Sequence, residues 1–141
     1  MKNIVQITVL TALVTGLAAC STGAQKPATS EFGFGPRMSS QGRYTATLQP
    51  ADELRPRKMY SVRVAIADAK GQPVEGATIA VDGGMPEHGH GLPTRPRVTR
   101  SEGDGVYIIE GVRFNMGGWW ELKLAIDGAS GPDSITFNIE V

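Results

Sequence analysis

Only one cysteine, Cys20, and only two histidines, His88 and His90, occur in the 141 residues. No disulfide can form within the chain, so the fold must be held by its own apolar core, for which roughly 100 residues suffice. No charge sign dominates either: fourteen Lys plus Arg stand against fourteen Asp plus Glu. That balance argues against a nucleic-acid partner, whose phosphates call for a strongly basic face. It also argues against a polybasic patch that would hold the protein on anionic lipid. The Gly-x-Ser-x-Gly elbow of serine hydrolases is missing, and a zinc hydrolase would need a third protein ligand beside two histidines. These gaps exclude the common enzyme classes. Internal repeats, coiled-coil heptads and a 3.6-residue apolar period after residue 20 are lacking as well.

What is present begins with an export signal. Lys2 supplies a positive n-region, Ile4 to Val14 an apolar h-region, and Leu17-Ala18-Ala19-Cys20 closes the segment. The apolar run is interrupted by Gln6, Thr8, Thr11 and Thr15 and is too short for the roughly 20 residues of a bilayer-spanning helix. Small residues ahead of a cysteine resemble the lipobox of bacterial lipoproteins, in which cleavage leaves the cysteine as a lipid-bearing N-terminus. The resemblance implies a signal peptide over 1–19, a diacylglycerol on Cys20, and a membrane-anchored protein of the cell envelope facing the periplasm. Ser21 after the cysteine favours the outer over the inner membrane. With the signal and Lys2 removed, thirteen basic residues face fourteen acidic ones, a formal charge of −1. A lipidated Cys20 also has no thiol left, so any metal site must be built from His and Met.

From Ser21 to about Gly42 the composition turns to Ser, Thr, Gly, Ala, Pro and Lys, which reads as a flexible linker over 20–41. Phe32, Phe34 and Met38 sit in it against type, and Glu31-Phe32-Gly33-Phe34-Gly35 could dock on the folded domain. Beyond it the dominant period is two. Tyr44, Ala46 and Leu48 share one face, as do Tyr60, Val62, Val64 and Ile66; Ala77, Ile79 and Val81; Trp120, Leu122, Leu124 and Ile126; and Ile135, Phe137, Ile139 and Val141. Val106 to Ile109 is apolar on both faces, which suits a strand buried on both sides or a bend. Glycine- and proline-containing turns separate the runs. The expectation is an all-β, immunoglobulin-like antiparallel β-sandwich of about seven strands over 42–141. Parity turns Trp120 to the core and leaves Trp119 pointing outward or under a loop.

One segment departs from ordinary sandwich sequence: Gly84-Met85-Pro86-Glu87-His88-Gly89-His90-Gly91-Leu92-Pro93. Two histidines flank a glycine, whose backbone freedom lets both imidazoles converge on one ion, and Met85 adds a thioether. Met116 lies in a second loop that a sandwich would cluster at the same end. Imidazole with thioether suits copper, Cu(I) or Cu(II), ahead of zinc, and does not suit calcium or magnesium.

The Met85-Pro86 segment, then Gly105-x-Tyr107, then Met116-Gly117-Gly118-x-Trp120 resemble the YtkA-like and FixH-like group of envelope immunoglobulin-like domains, which also occur attached to heavy-metal efflux adaptor proteins. The resemblance runs from about Arg43 to Val141. In that group the loop often carries methionines or a histidine where this chain has His88 and His90, a pattern suggestive of copper handling. It implies capture or delivery of a metal without catalysis.

Other roles for these residues stay open. The two histidines could cap strand ends with no metal. Met85 could fill the core, and Met116 shares parity with Val112 and Phe114. Glu87 is a solvated carboxylate or an orienter of a ligand, and Arg95 and Arg97 could pair with Glu102 or Asp104 across a hairpin. A second function class is a scaffold or interaction domain that meets an envelope protein partner through Trp119 and the histidine loop. Oligomeric state is not written in the sequence.

Overall fold

The computed structural model describes residues 24–141. The signal segment and Cys20 lie outside the described residues. Nine strands follow a short 3-10 turn at Thr29–Glu31: β1 (Arg37–Met38), β2 (Tyr44–Pro50), β3 (Met59–Asp68), β4 (Thr78–Met85), β5 (His90–Gly91), β6 (Arg97–Gly103), β7 (Val106–Arg113), β8 (Trp119–Gly128) and β9 (Gly131–Glu140). They form two antiparallel sheets, one in the order β1-β2-β3-β7-β6 and the other β5-β4-β8-β9. No α-helix occurs among the described residues. This is the immunoglobulin-like sandwich expected from the alternation, with seven long strands and two of two residues each.

The period of two decides what is inside. Tyr60, Val62, Val64 and Ile66 of β3 face Leu122, Leu124 and Ile126 of β8 and Ile135, Phe137 and Ile139 of β9 across the sandwich, and all are buried. Each such side chain contributes about 1.5–3 kcal/mol of transfer free energy. That driving force replaces the missing disulfide.

Val106 to Ile109 is apolar on both faces for a specific reason. Ile108 points away from the core yet is only 3% exposed. Its cross-strand neighbours are Arg63 and Arg100, which are bridged to Glu102 at 2.9 and 3.4 Å, while Arg100 also meets Glu110 at 3.6 Å. The aliphatic stems of these arginines cover Ile108 and keep their charged heads in water. The expected pairing of Arg95 and Arg97 with Glu102 or Asp104 is corrected: Arg63 and Arg100 hold Glu102 instead, whereas Arg97 sits further along the strand, opposite Glu110.

Gly105 and Tyr107 serve the fold. A side chain on Gly105 would collide with the Ile66 carbonyl, and its φ of +70° is left-handed. The Tyr107 hydroxyl donates to the Val74 carbonyl at 2.7 Å and accepts from the Ala77 amide at 3.0 Å, tying the β3–β4 connection to β7.

The expectation of a free linker up to residue 41 is corrected, and the docking of Glu31 to Gly35 is found. The Gly33 amide donates to the Asn138 carbonyl at 2.9 Å, the Leu48 amide to Phe34 at 2.6 Å, and the Ser40 amide to Ser134 at 2.9 Å. Phe32 forms a parallel bridge with Asn138. This segment runs along the free edge of β9 and reaches β1, which pairs with β2. Aromatic burial and the open backbone groups of an edge strand outweigh the low apolar content of the flanking residues.

Trp119 is 2% exposed. It stands on the outer face of β8, as parity requires, but Phe32 meets it edge-on at a centroid distance of 6.5 Å, and its indole N–H donates to Asn138 at 3.0 Å. Of the two expected placements, the covered one holds, and Trp119 is not available as an exposed anchor for a partner.

Candidate metal centre at the β4–β5 hairpin

β4 ends and β5 begins around a tight turn. The amides of His88 and Gly89 both donate to the Met85 carbonyl, at 3.1 and 2.9 Å. Gly89 has φ +65°, a left-handed conformation glycine adopts without steric cost. Pro86, Glu87, His88 and Gly89 thus reverse the chain and set His90 opposite Met85 in the register. Two further glycines make room. A Cβ at Gly83 would collide with the Glu121 carbonyl, and one at Gly84 would lie 2.5 Å from the His90 carbonyl. Here glycine is required by close backbone approach.

The turn brings the two imidazoles side by side. Their centroids are 5.9 Å apart with planes inclined by 28°. His88 is exposed and His90 half-buried. Beneath them Trp120, fully buried, meets His90 edge-on at 5.6 Å and Phe114 at 5.2 Å. His90 Nδ1 lies 3.2 Å from the Gly91 carbonyl. A carbonyl only accepts, so Nδ1 carries the proton in this contact and Nε2 of the neutral ring keeps its lone pair for a ligand.

The methionines divide. Met85 is 1% exposed and belongs to the core; a Cβ on Gly118 would come within 3.1 Å of its methyl group. It also lines the open groove of about 250 Å³ that His90, Asp82, Glu121 and Lys123 border. Met116 is 40% exposed, because β7 stops at Arg113 and the interior parity of Val112 and Phe114 is not continued. The Met116 carbonyl accepts the Trp120 indole N–H at 3.0 Å, which pins this loop to the floor of the histidine pair. Glu87 is exposed at the turn. Among the described residues no group of three or more His, Cys, Asp and Glu side chains converges, so any ion here would rest on two imidazoles with thioether or solvent as the remaining donors.

Sequence reasoning found the histidine loop but missed its supports. Gly83-Gly84 reads as an ordinary turn, whereas it lies within β4 and allows β5 to approach. Phe114 as a ring beneath Trp120 had only its parity as a signal.

The comparisons agree with this architecture. A DUF4426 family protein from Pseudomonas aeruginosa PAO1, known from its crystal structure, superposes with a TM-score of 0.53 at 17% identity, covering 75% of this chain and 94% of that one. At that identity the likeness concerns the fold. Among curated proteins none matches. The family model described as YtkA-like matches residues 38–125, which spans strands β2 to β7 and most of β8. The chain belongs to the YtkA-like family.

Proposed function

We propose that this chain is a lipid-anchored envelope protein whose YtkA-like sandwich captures or delivers a copper-class ion through His88 and His90. The observation that carries the reading is the juxtaposition of two imidazoles 5.9 Å apart on a hydrogen-bonded hairpin turn, with a half-buried His90 oriented by its neighbour's carbonyl. A histidine pair that merely capped strand ends would direct its nitrogens at orphaned backbone groups. Only the Nδ1 contact of His90 has that character. The donors fit a soft or borderline ion: two imidazoles on the turn, the Met116 thioether on the adjacent loop and Met85 lining the groove below. Copper suits this set better than zinc.

The role is binding without catalysis. Two histidines with no converging carboxylate or thiol among the described residues supply neither the three protein ligands of a catalytic zinc nor an activated nucleophile. The anchor would be the acylated Cys20. The interaction-module reading loses its aromatic anchor, since Trp119 lies under Phe32.

Isothermal titration of the mature chain carrying Cys20→Ala with Cu(II), Cu(I) and Zn(II), repeated on the His88→Ala, His90→Ala double variant, tests the reading. Binding of Cu tighter than of Zn, lost in the double variant, is expected. Affinity no tighter than about millimolar, or unchanged by the two substitutions, would sink it.

A further inference from the structure

We propose that the end of the sandwich bearing His88 and His90 faces the bilayer and rests on phospholipid headgroups. This rests on the lipid-anchor part of the preceding reading and not on metal binding. β4 and β7 end, and β3 and β8 begin, at one end of the molecule, where the turn at residues 86–89 and the loops 51–58 and 114–118 gather. The N-terminal segment leaves the fold at that same end. Lys26 Nζ bonds Glu140 at 3.0 Å, and Glu140 is paired with Trp119 at the start of β8. Five residues lie between Lys26 and Cys20, and the six Cα–Cα steps bound their separation at about 20 Å. Strands of ten residues make the sandwich about 30 Å long. With Lys26 held at Glu140, an inverted domain with its far end on the lipid would need more chain than the six Cα–Cα steps to Cys20 supply.

A second observation, independent of the tether, points the same way. Arg57, Arg95 and Arg113 stand at the histidine end without a carboxylate within 4.0 Å among the described residues, against one unpaired carboxylate there, Glu87, while Asp52, Glu53 and Glu140 are each held in an ion pair. The far end carries Asp68, Glu75, Asp104 and Asp127 against Lys70 and Arg43. The chain is neutral by composition but charged lengthwise, with its cationic end toward an anionic surface. Met59 and Met116, 55% and 40% exposed, add apolar contact at that end.

The experiment uses the full acylated chain reconstituted into vesicles of phosphatidylethanolamine and phosphatidylglycerol that include a lipid with a nitroxide on its headgroup. Because the one native thiol is consumed by acylation, Glu87→Cys and Gln72→Cys can each be labelled uniquely with a fluorophore. Stronger loss of fluorescence at residue 87 than at residue 72 is expected, with the difference reduced in an Arg57→Ala, Arg95→Ala background. Equal quenching at the two positions, or stronger quenching at 72, in a chain whose mass shows the acyl group overturns the orientation alone. A chain without the acyl mass overturns the anchor and the orientation together, and neither result touches the titration with copper.

Discussion

The rings of His90 and Trp120 meet edge-on, with centroids 5.6 Å apart and planes inclined by 63°. Trp120 is therefore a built-in reporter for whatever His90 binds, whereas Trp119 lies on the opposite side of β8 under Phe32. Adding Cu(II) is expected to quench the Trp120 share of the emission in a Trp119→Phe background. The quenching should vanish when His90 becomes Ala, and persist at full strength in a chain without Met116 only if that thioether is not a donor. Fluorescence that ignores Cu(II) would show that no ion reaches His90.

Gly84 lets β5 lie against β4, and an added Cβ would stand 2.5 Å from the His90 carbonyl. Gly84→Ala is expected to push the hairpin aside, destabilising the fold by about 1–3 kcal/mol as other overpacked sites do. Copper affinity should fall with it, although no donor atom is removed. Chemical denaturation and titration of the variant check both effects; unchanged affinity would mean that the spacing of the imidazoles does not depend on this approach.

Asp133 gives the fold an acid limit. It is 8% exposed, and burial pushes its carboxyl up, but the Ser39 hydroxyl and the amides of Ser134, Arg43 and Gln41 together outweigh that and hold it below the usual 3.8. A depressed carboxyl stabilises the fold at pH values above its unfolded pKa, and that contribution fades as pH falls through the folded value. Asp133→Asn should melt at lower temperature than the wild type at about pH 7, and the gap should close below 3.8. A gap that stays constant down to about pH 2 would contradict this origin.

Phe32 covers Trp119 and brings the N-terminal segment onto β9. Phe32→Ala is expected to cost about 1–2 kcal/mol, from the lost edge-to-face contact and part of the buried area, and to shift tryptophan emission to the red. Copper binding should not change, because His88 and His90 lie across β4 and β8 from this contact. A variant with native emission would place the cover on Trp119 elsewhere.

The architecture was legible wherever one strand face is dry, since Tyr60 to Ile66 and Trp120 to Ile126 show the period without ambiguity. β6 was not, because an edge strand with seven largely exposed residues has no apolar face to alternate. Val106 to Ile109 was legible as a strand buried on both sides, and Ile108 is buried as expected; that arginine stems do the covering was not written in its apolar character. The histidine loop was visible as composition. The stacking of its rings, the buried position of Met85 and the exposed one of Met116 depend on where β4 and β7 stop, which residue types alone do not decide. The lengthwise separation of charge was invisible in a balanced total.

The strip of chain from Phe32 to Ser40 also has a bearing on self-association. It engages the carbonyls of Asn138 and Ser134 on β9, the edge through which two copies could otherwise join sheets. A fragment cut at residue 42 would bare that edge together with the Trp119 ring, and so carry an adhesive stripe that the longer chain keeps closed.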